Sequence, residues 1–306
     1  MAGATDQRLT EMLLYNNAYK TIDPWVRSTG LRTNALRYRT LSHSSLPGVA
    51  EEFLAGTTLR RNDWETASSV AAYFSDAHVL MLAARETEQA ATAEDVLLPA
   101  PLELTVELGD ALARRRSRRR YTGDPMALDY LATILRAAVG ITGVAEATLK
   151  SGGTAALAFR AAPSAGGLYP IELYLVAQSI AKLRRGVYRY APHPERLVPV
   201  GGDDVADAVL EGFAVSEEMI SLGRSDVVCL LVAHPWRAMR KYGARGMRFV
   251  LMEAGSIAQN VNLAAVALGY GSVECASVYE DEVNAALGLD GAFRTLVHTV
   301  VVGYPG

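Results

Sequence analysis

Six of the 30 lysines and arginines in this 306-residue chain fall within one seven-residue window, Arg114 to Arg120, interrupted only by Ser117. Guanidinium groups grip phosphate through planar, paired hydrogen bonds, and a hydroxyl among them supplies a neutral donor. A solvated helix end or a nucleic-acid patch would explain a basic run in general. In this one, Ser117 and the turn-forming Tyr121-Thr122-Gly123-Asp124-Pro125 that follows favour a single nucleotide-sized anion over a polymer. The whole chain carries 33 acidic residues and a net charge of −3, so there is no cationic surplus for coating nucleic acid or an anionic membrane.

Three more segments carry residue types suited to chemistry. Pro163-Ser164-Ala165-Gly166-Gly167-Leu168-Tyr169-Pro170 is a tight turn whose paired glycines let the backbone approach a flat ligand, with the Ser164 hydroxyl available to ring heteroatoms. It lacks the GK[ST] of a phosphate loop, the GxGxxG of a dinucleotide helix and the GxSxG of a nucleophile elbow, and alone it would pass as an ordinary loop. Lys241-Tyr242 places an ammonium beside a phenol. On a surface the pair would do nothing; lining a site, the ammonium would lower the phenol's pKa and make Tyr242 a proton acceptor or donor. Ala267 to Ser277 reads as a helix stop at Gly269 running into a loop or strand. Its Cys275 has no adjacent cysteine, histidine or basic residue to activate a thiol, and His43, His78, His193, His234 and His298 show no metal-binding spacing.

The elements that must hold these segments follow from periodicity and punctuation. Residues 1 to about 95 read as mostly helical, with apolar pieces at Glu51 to Leu54 and Val70 to Phe74 and packing aromatics at Trp25, Trp64, Tyr73 and Phe74. Pro99 and Pro101 mark a boundary, so the chain divides into an N-terminal helical extension, 1–102, and a second unit, 103–306. In that unit a helix runs from Glu103 toward the arginines, and a second, capped by Asp124-Pro125, extends to Val139 and stops at Gly140. Strands are expected at 156–160, 172–177, 186–190, 227–233 and 296–302, and helices at 203–213 and 247–268. This intermixture gives an α+β fold, a central mixed sheet flanked by helices. Two cysteines, Cys229 and Cys275, make no disulfide framework and suit a reducing cytoplasm; the charged N-terminus shows no export signal. The uncharged stretch from Ala254 to Val273 contains Ser256, Gln259, Asn260 and Asn262, which fits a buried helix better than a membrane span.

The order of these motifs, RRSxR at 115–119, PSAGGLYP, KYGxRGxRF, a long AGxxAQN helix, ALGxG and a terminal strand ending in VGYP, resembles the nitroreductase fold over roughly residues 103 to 306. Within it, the chain is similar to the SagB-type dehydrogenases, the azoline oxidases of thiazole/oxazole-modified peptide biosynthesis. The resemblance implies FMN held at the interface of a homodimer. Arg115, Arg116, Ser117 and Arg119 would then grip the FMN phosphate. Pro163, Ser164, Ala165 and Gly166 would lie along the isoalloxazine ring, as the partner's contribution to each site. Ala276 and Ser277 would occupy the place of the residue pair, Gly-Gly in many relatives, that presents a backbone N–H near flavin N5. Lys241 and Tyr242 match the pair that separates azoline oxidases from ordinary nitroreductases. The implied reaction oxidises a thiazoline or oxazoline of a ribosomal peptide to the azole, with hydride passing to FMN N5, the proton to Tyr242 assisted by Lys241, and O2 reoxidising the flavin. Residues 1–102 would dock the peptide or a cyclodehydratase. An NAD(P)H-dependent nitroreductase or flavin reductase, and a non-catalytic scaffold of the modifying complex, are the alternative readings.

Overall fold

In a computed structural model of the protein, the described residues are 21–23, 37–39, 49–59, 61, 64–75, 92–148 and 152–306; Trp25, His43 and His78 lie outside them. Contacts divide the chain into two compact units, Met1–Asp63 and Trp64–Gly306. In the first, β1 (Thr21–Asp23) and β2 (Arg37–Arg39) pair antiparallel, and α1 (Val49–Gly56) covers the apolar piece at 51–54. The second begins with α2 (Trp64–Ser75), in which Trp64 is 76% exposed rather than packed.

The second unit is built on β9 (Val227–Ala233), seven successive apolar residues that are all buried. A run of that kind is apolar on both faces, which requires helices above and below it. Around it lie β3 (Val96–Leu97), β6 (Ile171–Ala177), β7 (Gly186–Pro192), β8 (Glu195–Gly201), β10 (Gly271–Glu274) and β11 (Thr295–Gly303). They form a seven-stranded sheet in the order β10-β11-β9-β6-β7-β8-β3. Its ladders are antiparallel, and a parallel bridge between Ser117 and Ser272 extends the sheet beyond β10. β3 draws residues N-terminal to the Pro99-Pro101 segment into this sheet, fastened by a buried ion pair of 2.7 Å between Arg196 Nε and Asp95 Oδ2.

Strand side chains alternate between faces. Val227, Cys229, Leu231 and Ala233 enter one core, beneath α4 (Leu128–Val139) and α7 (Gly246–Ala267). Val228, Leu230 and Val232 enter the other, beneath α5 (Asp203–Glu211) and α8 (Glu280–Ala286). The described residues also form α3 (Leu108–Arg114) and α6 (Pro235–Tyr242). A separate hairpin of β4 (Ile141–Thr148) and β5 (Thr154–Arg160) leads into the Gly-rich turn.

Two expected helix starts move. The helix expected from Glu103 begins at Leu108, because the preceding segment lies extended along α4, with the Leu102 N–H donating to Thr133 Oγ1 at 2.8 Å. Asp124 does not cap α4, whose N-cap is Ala127. Residues 124–127 are drawn out instead by the parallel bridge from Met126 to Ile180, in which the Met126 N–H donates to Ser179 and its carbonyl accepts from Ala181. No helix among the described residues is long and apolar enough to cross a membrane.

Candidate active site

α6 starts with Pro235 at its first turn, which suits a proline's fixed φ and missing N–H, and its buried residues are Pro235, Ala238 and Lys241. That spacing of three lies along one face, so the helix carries a lysine on its buried stripe. Lys241 is 1% exposed. The adjacent Tyr242 is half-buried, its ring edge-on to Phe249 of α7 at 4.9 Å, with Lys241 Nζ 5.2 Å from the ring centre. α6 can lie this close to α7 because residue 246 is glycine: a Cβ there would stand 2.6 Å from the Ala238 backbone.

The Gly-rich turn meets the same pair. Gly166 has φ +67, a left-handed conformation that favours glycine, and a Cβ on it would lie 2.7 Å from both Lys241 Nζ and Tyr242 Oη. Pro163-Ser164-Ala165-Gly166 and Lys241-Tyr242 therefore line one site, with Gly166 exposed and Ser164 and Ala165 half-buried. Gly166→Ala is expected to cost about 1–2 kcal/mol of stability from the backbone alone and to lower turnover further by displacing the amine and the phenol. Thermal melting and turnover measured together check this; a loss confined to stability would count against the convergence.

Burial pushes the Lys241 ammonium below the ordinary lysine range and the Tyr242 phenol above the ordinary tyrosine range. The expected lowering of the phenol's pKa by its neighbour is thus reversed. Desolvation acts on both groups, favouring a neutral amine beside a neutral phenol.

The turn is held from below. Ser164 Oγ accepts the Tyr169 N–H at 2.8 Å, Arg237 Nη1 donates to the Tyr169 carbonyl at 3.0 Å, and the His234 N–H donates to the Pro170 carbonyl at 2.7 Å. Glu172 pairs with His234 at 3.1 Å, Arg237 at 3.3 Å and Arg294 at 3.2 Å. Burial would raise its pKa, but the hydrogen bond and charge of His234 and the Arg237 charge bring it down to about 2. Sequence reasoning missed this support, and also Glu253, 4% exposed on α7. A signal for Glu253 existed: it lies three residues after Val250 and four before Ile257 on the helix's buried stripe.

The remaining candidates gather elsewhere. Arg115 is the half-buried C-cap residue of α3, and Arg116, Ser117 and Arg119 are exposed. Arg116 Nη1 bonds the Ala113 and Arg115 carbonyls, and no carboxylate among the described residues forms an ion pair with the run. The Arg118 N–H donates to the Ser272 carbonyl at 2.8 Å, and Ser272 Oγ donates to Asn262 near the C-terminal end of α7 at 2.7 Å. Ala276 and Ser277 follow β10 on the same edge, both exposed. So the arginine run meets the sheet edge at β10 and stands by Asn262 in the C-terminal half of α7, while Lys241-Tyr242 and the turn stand by Phe249 in its N-terminal half. A helix of 22 residues is about 33 Å long. Among the described residues no cluster of three or more metal-binding side chains occurs.

The model of the Nitroreductase family matches residues 112–304, spanning the arginine run, the turn, Lys241-Tyr242 and the last strand. The chain belongs to the nitroreductase family. This nitroreductase-family chain is 34% identical over 182 residues to a nitroreductase-type protein of Methanocaldococcus jannaschii, covering 60% of the chain and 84% of the relative. It is 30% identical over 143 residues to the microcin B17-processing protein McbC of Escherichia coli, covering 45% of the chain and 51% of McbC. It is also 30% identical over 148 residues to the trifolitoxin-processing protein TfxB of Rhizobium leguminosarum, covering 47% of the chain and 39% of TfxB. The chain thus spans about half of McbC or less than half of TfxB. Among solved structures it shares the fold of a nitroreductase-type protein of Ralstonia eutropha, with a TM-score of 0.55 at 20% identity over 71% of the chain and 92% of that structure. It also shares the fold of the E. coli microcin synthetase McbBCD complex with truncated pro-MccB17 bound, with a TM-score of 0.52 at 19% identity over 81% of the chain and all of the matched one.

Proposed function

We propose that this chain is the FMN-dependent dehydrogenase of a peptide-modifying system, oxidising thiazoline or oxazoline rings to azoles. The observation that carries the reading is the convergence of Lys241 Nζ and Tyr242 Oη on Gly166, which puts a proton-transferring pair against the glycine turn where a flat ring would lie. Support comes from the similarity to two peptide-processing proteins, McbC and TfxB.

The residues present fit FMN. Exposed guanidiniums without carboxylate partners among the described residues, beside the Ser117 hydroxyl, suit a phosphate dianion, and the missing Cβ of the left-handed Gly166 lets the Lys241 amine and the Tyr242 phenol stand against the turn. Arg115, Arg116, Ser117 and Arg119 would hold the phosphate, and Pro163, Ser164, Ala165 and Gly166 the ring, with Ala276 and Ser277 offering backbone N–H groups. Following the family resemblance, the turn is assigned to the ring of the partner copy's site, so that each complete site combines two copies of the chain. The exposed Leu251 (45%) and Met252 (67%) on α7 give a second copy apolar surface to cover.

FMN, when bound, would supply a hydride acceptor at N5, with O2 as the terminal oxidant. The chain's own part is the proton. The Lys241 amine, driven toward neutrality by burial, accepts the ring proton of the azoline. The Tyr242 phenol stays protonated and donates a hydrogen bond that orients the ring. This reassigns the base from Tyr242 to Lys241, following the two opposed pKa directions. Residues 1–102 are assigned to docking of the peptide or of the cyclodehydratase that forms the azoline.

The test is to reconstitute purified protein with FMN, supply an azoline-bearing peptide and follow loss of two mass units per ring. Rapid bleaching of the flavin by NADPH with no azole formed would mark a nitroreductase or flavin reductase instead, and failure to bind FMN would mark a scaffold.

A further inference from the structure

Asn262 is a polar side chain on the buried side of α7, 3% exposed among the buried Val261, Ala264, Ala265 and Val266. We propose that it is a positioning residue for the arginine run: by holding β10 against α7 it fixes the strand edge on which Ser117 and Arg118 pair, and so sets which side chains of the run face a bound phosphate. That this phosphate is the one of FMN rests on the flavin reading; the placing of the run does not.

A buried amide costs stability unless both its carbonyl and its amino group are bonded. Asn262 Oδ1 accepts the Ser272 hydroxyl at 2.7 Å, and Asn262 Nδ2 donates to Glu274 Oε1 at 2.9 Å. Ser272 and Glu274 are two positions apart in β10 and so lie on one face of that strand, and a single side chain of α7 spans both. Glu274 Oε2 in turn meets His298 Nε2 of β11 at 2.7 Å, and the β10 backbone pairs with β11, Ser272 opposite Val302. The amide therefore ties α7 to the last two strands of the sheet at the place where the run joins them.

The other edge of β10 receives the run. Ser117 pairs parallel with Ser272, and the Arg118 N–H donates to the Ser272 carbonyl at 2.8 Å. The residue that bonds Asn262 through its hydroxyl thus holds the run through its carbonyl. The approach is close: a Cβ on Gly271 would stand 2.7 Å from Arg118 Cβ. Downstream, Tyr121 Oη donates to the Arg118 carbonyl at 2.7 Å, and the Ser221 N–H donates to the Arg119 carbonyl at 2.9 Å. Successive side chains of a segment paired on a strand edge point to opposite sides, so with Arg118 against Gly271, Ser117 and Arg119 point together the other way. A slip of one residue would exchange the two sets. Loosening Ser272 frees the upstream end of the run for that slip.

The test uses the full chain carrying Asn262→Leu, which removes both hydrogen bonds at similar volume, Ser272→Ala, which removes one oxygen, or the two together. Hydrogen exchange without added flavin reads the placing of the run: the Arg118 amide is expected to exchange roughly tenfold faster in each single variant. Fluorescence titration reads the site: each single variant is expected to weaken FMN binding by about tenfold and to leave riboflavin binding unchanged, and the double variant is expected to bind FMN no more weakly than Asn262→Leu, because both changes break one link. Unchanged Arg118 exchange, unchanged FMN affinity in a chain that binds FMN, equal losses for FMN and riboflavin, or losses that multiply in the double variant each overturn the assignment. An unmodified chain that binds no FMN overturns the flavin reading instead, and the Arg118 exchange rates then decide the role of Asn262 by themselves.

Discussion

Replacing Lys241 with alanine is expected to lower azole formation by about 10²–10⁴-fold while the protein stays folded and keeps bound FMN. The size follows from removing a positioned general base. Retention of FMN follows from the position of Lys241 on α6, away from the arginine run. Because burial lowers the Lys241 pKa, the neutral, proton-accepting amine is present at lower pH than for an ordinary lysine, and activity should rise as pH rises through that lowered value. Lys241→Arg sharpens the test. It restores a cation but not a base, since guanidinium does not lose its proton in proteins, and it should be as inactive as the alanine variant. Tyr242→Phe, which removes only an orienting hydrogen bond, should cost less, roughly tenfold. Rates and flavin absorbance recorded across pH on all three variants decide the roles. Full activity in Lys241→Ala would end the assignment, and a Tyr242→Phe defect larger than that of Lys241→Ala would return the base to the phenol.

Charge reversal in the arginine run is the second large effect. Arg115→Glu with Arg119→Glu is expected to weaken FMN binding by at least about 100-fold, because each lost hydrogen bond to a charged group contributes about 1.5–3 kcal/mol and the new carboxylates repel the phosphate. Riboflavin, which has the ring but no phosphate, supplies the control: its weaker binding should not change. Fluorescence titration of both ligands against both proteins reads the result. Equal losses for FMN and riboflavin would mean that the run supports the fold or the ring and does not bind the phosphate. No change for either would return the run to a solvated surface.

Much of the fold is legible along the chain. Seven unbroken apolar residues at Val227–Ala233 can only be a strand covered on both sides, and Gly269 ends the long helix with φ +82 at the position where its sequence stops being periodic. The hairpin Ile141–Thr148 with Thr154–Arg160 is harder to see, since Gly143 and several alanines dilute the strand pattern. The N-terminal strands Thr21–Asp23 and Arg37–Arg39 are three residues each, too short for any period to register. Asp124-Pro125 has the chemistry of a helix cap, yet a bridge to Ile180, more than fifty positions away, draws that segment out instead. Local preference lost there to a tertiary contact.

The candidate site divides in the same way. The residue types and their order, RRSxR, PSAGG and Lys-Tyr, stand in the sequence and point to an anion site, a flat-ligand turn and a proton-transferring pair. Their grouping does not. Only the fold shows that Gly166 meets Lys241 and Tyr242, and only the bonds from Arg118 to Ser272 and from Ser272 to Asn262 show that the arginines stand by the C-terminal half of α7. The direction of proton transfer is likewise a tertiary property. In sequence, an ammonium beside a phenol predicts a more acidic phenol; in the fold, both side chains lose water, and desolvation outweighs their mutual charge effect. Sequence spacing sets which groups are neighbours along the chain, but burial depends on what the rest of the chain packs over them, and burial decides which of the two holds the proton.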